Sequence, residues 1–134
     1  MAKHYKLKTW RQPKPKHLVP TKWLWTVSYP ENLLLEKDTD IGAFTYIHAG
    51  GQVLIREGAK IGSHCSIYSE NSIDGTSGAV IIGEGACVGS HCTIMPDVTI
   101  GRGAKVDAQM VITRDVKEFT ELKWKKKYYT NKVL

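Results

Sequence analysis

Three cysteines, two phenylalanines and five prolines in 134 residues are little to work with, and each scarcity excludes something. An odd, small number of cysteines does not make a disulfide scaffold, so reduced thiols in a cytosolic protein are the simplest expectation. The longest uncharged stretch, Ile41 to Ile55, has 15 residues, contains Gly50-Gly51 and a histidine, and cannot span a bilayer. The opening MAKHYKLKTWRQPKPKH is basic with no apolar run behind it, which predicts no secretory leader. Acidic residues are missing altogether from residues 1–30, where seven Lys/Arg stand unopposed. Glycine is missing outside Gly42 to Gly103, and all four tryptophans (Trp10, Trp23, Trp25, Trp124) lie outside that interval.

What is present is divided the same way. Residues 31–116 hold eleven Asp/Glu against six Lys/Arg, and residues 117–134 hold six Lys/Arg against two Asp/Glu. The net charge of +6 therefore comes from the two ends. Aromatics interleave with the basic residues (KTWRQPKPKH, KWKKKYY), but solvated tails or end covers explain them better than nucleic-acid binding. At 15.0 kDa and 42% apolar residues, one packed domain is expected. We divide it into a basic N-terminal segment (1–30), a repeat domain (31–116) and a basic C-terminal helix or tail (117–134).

The repeat has a period of six. Branched aliphatic anchors fall at Leu35, Ile41 and Ile47, at Ile55, Ile61, Ile67 and Ile73, and at Ile82, Val88, Ile94, Ile100, Val106 and Ile112. Four places after many anchors comes a small or apolar residue: Thr45, Ala59, Cys65, Ala86, Cys92, Val98 and Ala104. Six suits neither an amphipathic helix nor a long alternating strand. It suits a triangular coil of short strands joined by tight corners, three hexapeptides to the turn, with turns stacked at about 4.8 Å.

Counting anchors places the residues on faces. With Ile61 on the first face, Ile67 on the second and Ile73 on the third, Ile82 returns to the first. The second face then carries Ile47, Ile67, Val88 and Val106. Its outgoing corner collects His48, Gly50 and Gly51, then Glu70 to Ser72, then Ser90-His91, then Ala108. On this count His91 and Glu70 stack in adjacent coils, so that the carboxylate orients the imidazole, and His64 falls one corner away. Cys65 and Cys92 are spaced as packing residues, whereas Cys87 points outward.

This pattern resembles the hexapeptide-repeat, left-handed parallel β-helix, an exception to right-handed crossovers. PDVTIGRGAKVDAQMVITRDV is similar to the last coil of the maltose/galactoside/xenobiotic acetyltransferase group, PGVTIGxxxxIGAGSVVTKDI. With IGAFTYI and IGSHCSIYS upstream, the likeness covers roughly residues 33–116. It implies an all-β coil of about four turns, a homotrimer with sites between neighbours, and a short C-terminal helix or tail, for which Lys117 to Tyr129 is the candidate.

The resemblance also implies chemistry: attack of a hydroxyl or amine, on a sugar or nucleotide-linked sugar, on the thioester of acetyl-coenzyme A. Coenzyme A contacts carried over by motif are Ser90, Ala108, Thr113 and Arg114, with Arg114 in place of lysine. Asp107, Gln109 and Met110 replace the group's Gly, Gly and Ser. The group's histidine base corresponds to Ser72, which cannot serve, so His91 with Glu70 is the expected catalytic pair. No metal is expected. Two other classes compete: a silent scaffold, and a γ-carbonic-anhydrase-like enzyme using His48, His64 and His91 on zinc.

Overall fold

The computed structural model describes residues 9–124. It is a left-handed parallel β-helix of about five turns, one more than the hexapeptide count suggests. Each face is a parallel sheet of strands two or three residues long. The first face carries Asp40–Ile41, Lys60–Ile61, Cys87–Val88, Lys105–Val106 and Glu121–Leu122. The second carries Thr26–Ser28, Tyr46–His48, Ser66–Tyr68, Thr93–Ile94 and Val111–Ile112. The third carries Leu33–Leu35, Val53–Ile55, Val80–Ile82 and Thr99–Ile100, with Val116 bridged beside Ile100.

The anchors fill the prism because a strand turns alternate side chains to opposite faces. Ile47, Ile55, Ile67, Ile82, Ile94 and Ile100 are wholly buried. Ala59, Cys65, Ala86, Cys92 and Ala104 fill the narrow corners between them. Thr45 stands at such a corner, and its buried hydroxyl is satisfied by donating to the Gly62 carbonyl (2.8 Å) and accepting from Cys65 N–H (3.1 Å).

Ile73 corrects the face count. Its spacing of six from Ile67 marks it as an anchor, yet it is 91% exposed. It sits in an excursion built on an antiparallel hairpin, Glu70–Asn71 against Thr76–Ser77. The Asp74 carboxylate accepts from Thr76 N–H and Oγ1 (3.0 and 2.7 Å), holding a turn that continues into Gly75 at φ 76°. With Ile73 out of the coil, Ile82 lies on the third face beside Ile55, Val88 pairs with Ile61, and Ile94 pairs with Ile67. Every later residue moves one face from its expected place.

The N-terminal end is covered. Trp25 is 2% exposed over the first turn, the Trp10 indole donates to the Thr39 carbonyl (3.0 Å), and the Gln12 amide donates to the Leu35 carbonyl (3.1 Å). At the other end, the expected helix over Lys117 to Tyr129 is absent from its described part. Glu121–Leu122 instead adds a strand to the first face, because Leu122 follows Val116 by the same six residues and continues the coil. Residues 125–129 of that expected helix lie outside the described residues. Among the described residues no helix is long and apolar enough to cross a membrane.

Two substitutions test the frame. Ile67→Ala should cost about 2–5 kcal/mol, as buried aliphatic truncations do. Ile73→Ser should stay within about 0.5 kcal/mol of the unaltered protein, like other surface changes. Urea denaturation measures both, and equal losses would return Ile73 to the core.

Candidate active site

Side chains flanking the second-face anchors point outward. Register aligns Ser28, His48 and Tyr68 in one column, with Thr26, Tyr46 and Ser66 in the next. Beyond this face the chain leaves the coil twice, in the short insertion at 49–52 and in the hairpin excursion. Between the face and the hairpin runs an open groove of about 820 Å³, lined among others by Tyr46, His48, Tyr68, Glu70, Ser72 and Met95. Ser69, wholly buried, fixes its floor: the hydroxyl donates to the His48 carbonyl (2.6 Å) and accepts from Gly51 N–H (2.8 Å). A Cβ at Gly50 would meet the Glu70 carboxylate, so a side chain there would push Glu70 from its place beside His48.

His48 is held at both nitrogens. Nε2 lies 2.9 Å from Glu70 Oε1, while Nδ1 lies 2.8 Å from Ser28 Oγ and 3.1 Å from the Tyr46 hydroxyl. The Tyr46 hydroxyl in turn donates to Ser28 Oγ at 2.9 Å. Tyr29 packs edge-on against the imidazole, with ring centroids 5.7 Å apart. A carboxylate on one side of an imidazole and hydroxyls on the other is an arrangement for moving protons.

The expected pairing of Glu70 with His91 does not form, because the displaced frame carries His91 to another corner, and Glu70 meets His48 of the preceding turn instead. His91 lies instead on the corner leaving the first face, where it stacks on His64 with ring centroids 4.7 Å apart and planes within 2°. His64 was expected one corner away. Both stand at left-handed φ (57° and 58°) in a row with Phe44 and Gln109, exposed corner positions of successive turns. Ser90 and Ala108 share that edge, where Gln109 N–H donates to the Ser90 carbonyl (2.9 Å) and the Trp124 indole to the Ala108 carbonyl (2.9 Å). Thr113 and Arg114 are exposed at the opposite edge of the second face, Thr113 at most about 17 Å from Ala108 at the full reach of an extended chain.

The expected contacts thus occupy both edges of one face. Ser72, where the resemblance calls for a histidine, lines the groove that holds His48. Within one chain His64 and His91 stack on one edge while His48 is bonded to Glu70 on the other, so the zinc alternative would have to draw its histidines from neighbouring chains. Among the described residues no group of three or more His, Cys, Asp or Glu gathers around a common point. Sequence reasoning placed His48 near the site but missed Tyr46 and Ser28. The signal available was Tyr46-Ile47-His48, two polar rings on either side of a buried anchor.

No protein-family model and no curated protein matches the sequence. Solved structures do match in shape. A point mutant of AntD, an N-acyltransferase from Bacillus cereus in complex with dTDP and coenzyme A, has a TM-score of 0.63 at 16% identity. That match covers 78% of this chain and 74% of AntD. A second AntD mutant with the same ligands gives 0.56 at 18% identity, over 80% and 76% of the two chains. Serine acetyltransferase isoform 3 from Entamoeba histolytica, in complex with cysteine, gives 0.52 at 15% identity, covering 84% of this chain and 38% of that one. What is shared is the fold.

The cysteines behave as their burial dictates. Desolvation pushes the Cys65 and Cys92 thiols up from their ordinary range, which suppresses the reactive thiolate. Cys87 is part-exposed on the first face. A thiol reagent at pH 8 should therefore label Cys87 in the native protein and all three only after denaturation. Native labelling of Cys65 or Cys92 would contradict the packing.

Proposed function

We propose that this protein transfers an acyl group, acetyl in the simplest case, from coenzyme A to a hydroxyl or amine of a nucleotide-linked sugar. The observation that carries the reading is the Glu70–His48 pair lining an open groove on this fold. The fold it shares with AntD, solved with coenzyme A and dTDP, supports the donor and acceptor classes. A histidine base is what thioester attack needs at neutral pH. His48 is favoured over His91, because His91 has no carboxylate partner among the described residues.

In this reading coenzyme A lies along the second face, with its arm against Ser90 and Ala108 and its phosphates near Thr113 and Arg114. Arg114 is exposed and has no ion pair among the described residues, so its guanidinium is available to a phosphate. Three copies form the working unit, each setting the Ser90–His91 edge of one chain toward the groove of the next. His91 then contributes to the site from the neighbouring chain, and the protein works in the cytoplasm.

Calorimetric titration with coenzyme A tests this directly. The unaltered protein should bind, Arg114→Ala should bind more weakly, and that loss should shrink for dephospho-coenzyme A if Arg114 holds the 3′-phosphate. Absence of binding by the unaltered protein would favour a silent scaffold. Sedimentation equilibrium should give about three times the 15.0 kDa chain mass, and a monomer would remove the shared site.

A further inference from the structure

His48 cannot reach an acceptor directly, since both of its nitrogens are occupied within the protein. Ser28 is 3% exposed and equally out of reach. Tyr46, by contrast, is only part-buried and lines the groove. We infer that Tyr46, Ser28 and His48 form a proton relay backed by Glu70, with the Tyr46 phenol oxygen as the group that meets the acceptor. The inference rests on the acyl-transfer reading and names the base for that reaction.

One donor sequence satisfies every group. Tyr46 donates to Ser28 Oγ, so the Ser28 hydrogen is free to point at His48 Nδ1, 2.8 Å away. Nδ1 must then be the bare nitrogen, and Nε2–H donates to Glu70 Oε1 at 2.9 Å. Each group has a partner, and the chain ends on a carboxylate suited to stabilising an imidazolium. The 3.1 Å contact between Tyr46 and Nδ1 offers a shorter route for the same proton. Tyr68, edge-on to Tyr46 with centroids 6.2 Å apart, restrains the phenol ring from the next turn.

The step balances as follows. The acceptor oxygen or nitrogen forms a bond to the acyl carbon and gives its proton to the Tyr46 oxygen. The Tyr46 proton moves to Ser28, and the Ser28 proton moves to His48 Nδ1. The carbon–sulfur bond breaks with its electron pair on sulfur, and the thiolate takes a proton from solvent. The imidazolium then returns its extra proton to solvent, restoring the starting state. Tyr46 is the catalytic residue here, while Ser28, His48 and Glu70 act through it.

Two measurements on the full chain test the relay. The first is nitrogen NMR of histidine-labelled protein, with the His48 signals assigned by their loss in His48→Gln. It should show the Nε2–H tautomer, and Ser28→Ala should move the Nδ1 resonance. An Nδ1–H tautomer would overturn the relay whatever the activity. The second uses acetyl-coenzyme A with a dTDP-linked amino sugar. Tyr46→Phe, folded by its melting temperature, should lower kcat by about 10²–10⁴-fold with the KM for acetyl-coenzyme A within about twofold. Undiminished kcat in Tyr46→Phe would remove the relay and leave the transferase. Failure of the unaltered protein to bind coenzyme A would instead remove the transferase, and the relay's role with it.

Discussion

Closure of the coil is the constraint from which the rest follows. A turn can stack on its predecessor only if each anchor lands over the last at inter-strand spacing, so no face tolerates a stray residue. From the third face to the first, every step is six residues: Leu35 to Ile41, Ile55 to Ile61, Ile82 to Val88, Ile100 to Val106. From the first to the second, every step is again six. Surplus chain therefore leaves at the remaining corner, between the second and third faces. There Ile47 to Ile55 takes eight residues and Ile67 to Ile82 takes fifteen. The groove forms at that corner because it is where the chain can depart without breaking a ladder.

The rigid coil and the irregular corner divide the work. Parallel ladders on three sides fix Ile47 and Ile67, and hence the outward rings of Tyr46, His48 and Tyr68 that flank them. The hairpin then brings Glu70 back to His48, 22 residues away in sequence. Function tends to reside on loops positioned by a scaffold, and here the scaffold supplies the imidazole while the loop supplies the carboxylate. The opposite edge of the same face is regular, and its stacked histidines occupy corner positions of the coil.

Much of this was legible in the sequence. The six-residue period, the buried anchors and the small residues at the corners followed from spacing alone. The phase after the excursion did not, because spacing cannot distinguish an aliphatic residue in the core from one on a hairpin that happens to fall six places later. Asp74-Gly75 was a turn signal inside SENSIDGTSG that argued against Ile73 as an anchor. That single misplaced anchor put His91 next to Glu70 on paper, while His48, which precedes Ile73 and shares the Glu70 corner on either count, is the histidine that meets it in space. The fifth turn was missed for a related reason: Thr26–Ser28 and Glu121–Leu122 pair in register but lie beyond the glycine-rich composition that marks the repeat.

The frame itself can be tested by a disulfide. In the observed register Ser66 lies beside Thr93, whereas an uninterrupted count of six would place Ser66 beside Cys87. Parallel neighbours lie within disulfide range. Ser66→Cys combined with Thr93→Cys, in a Cys87→Ser background, should oxidise to a bond between positions 66 and 93, located by peptide mass mapping. Ser66→Cys alone should leave Cys87 free. A bond from position 66 to Cys87 would contradict the account, since it would return Ile73 to the core and bring His91 beside Glu70.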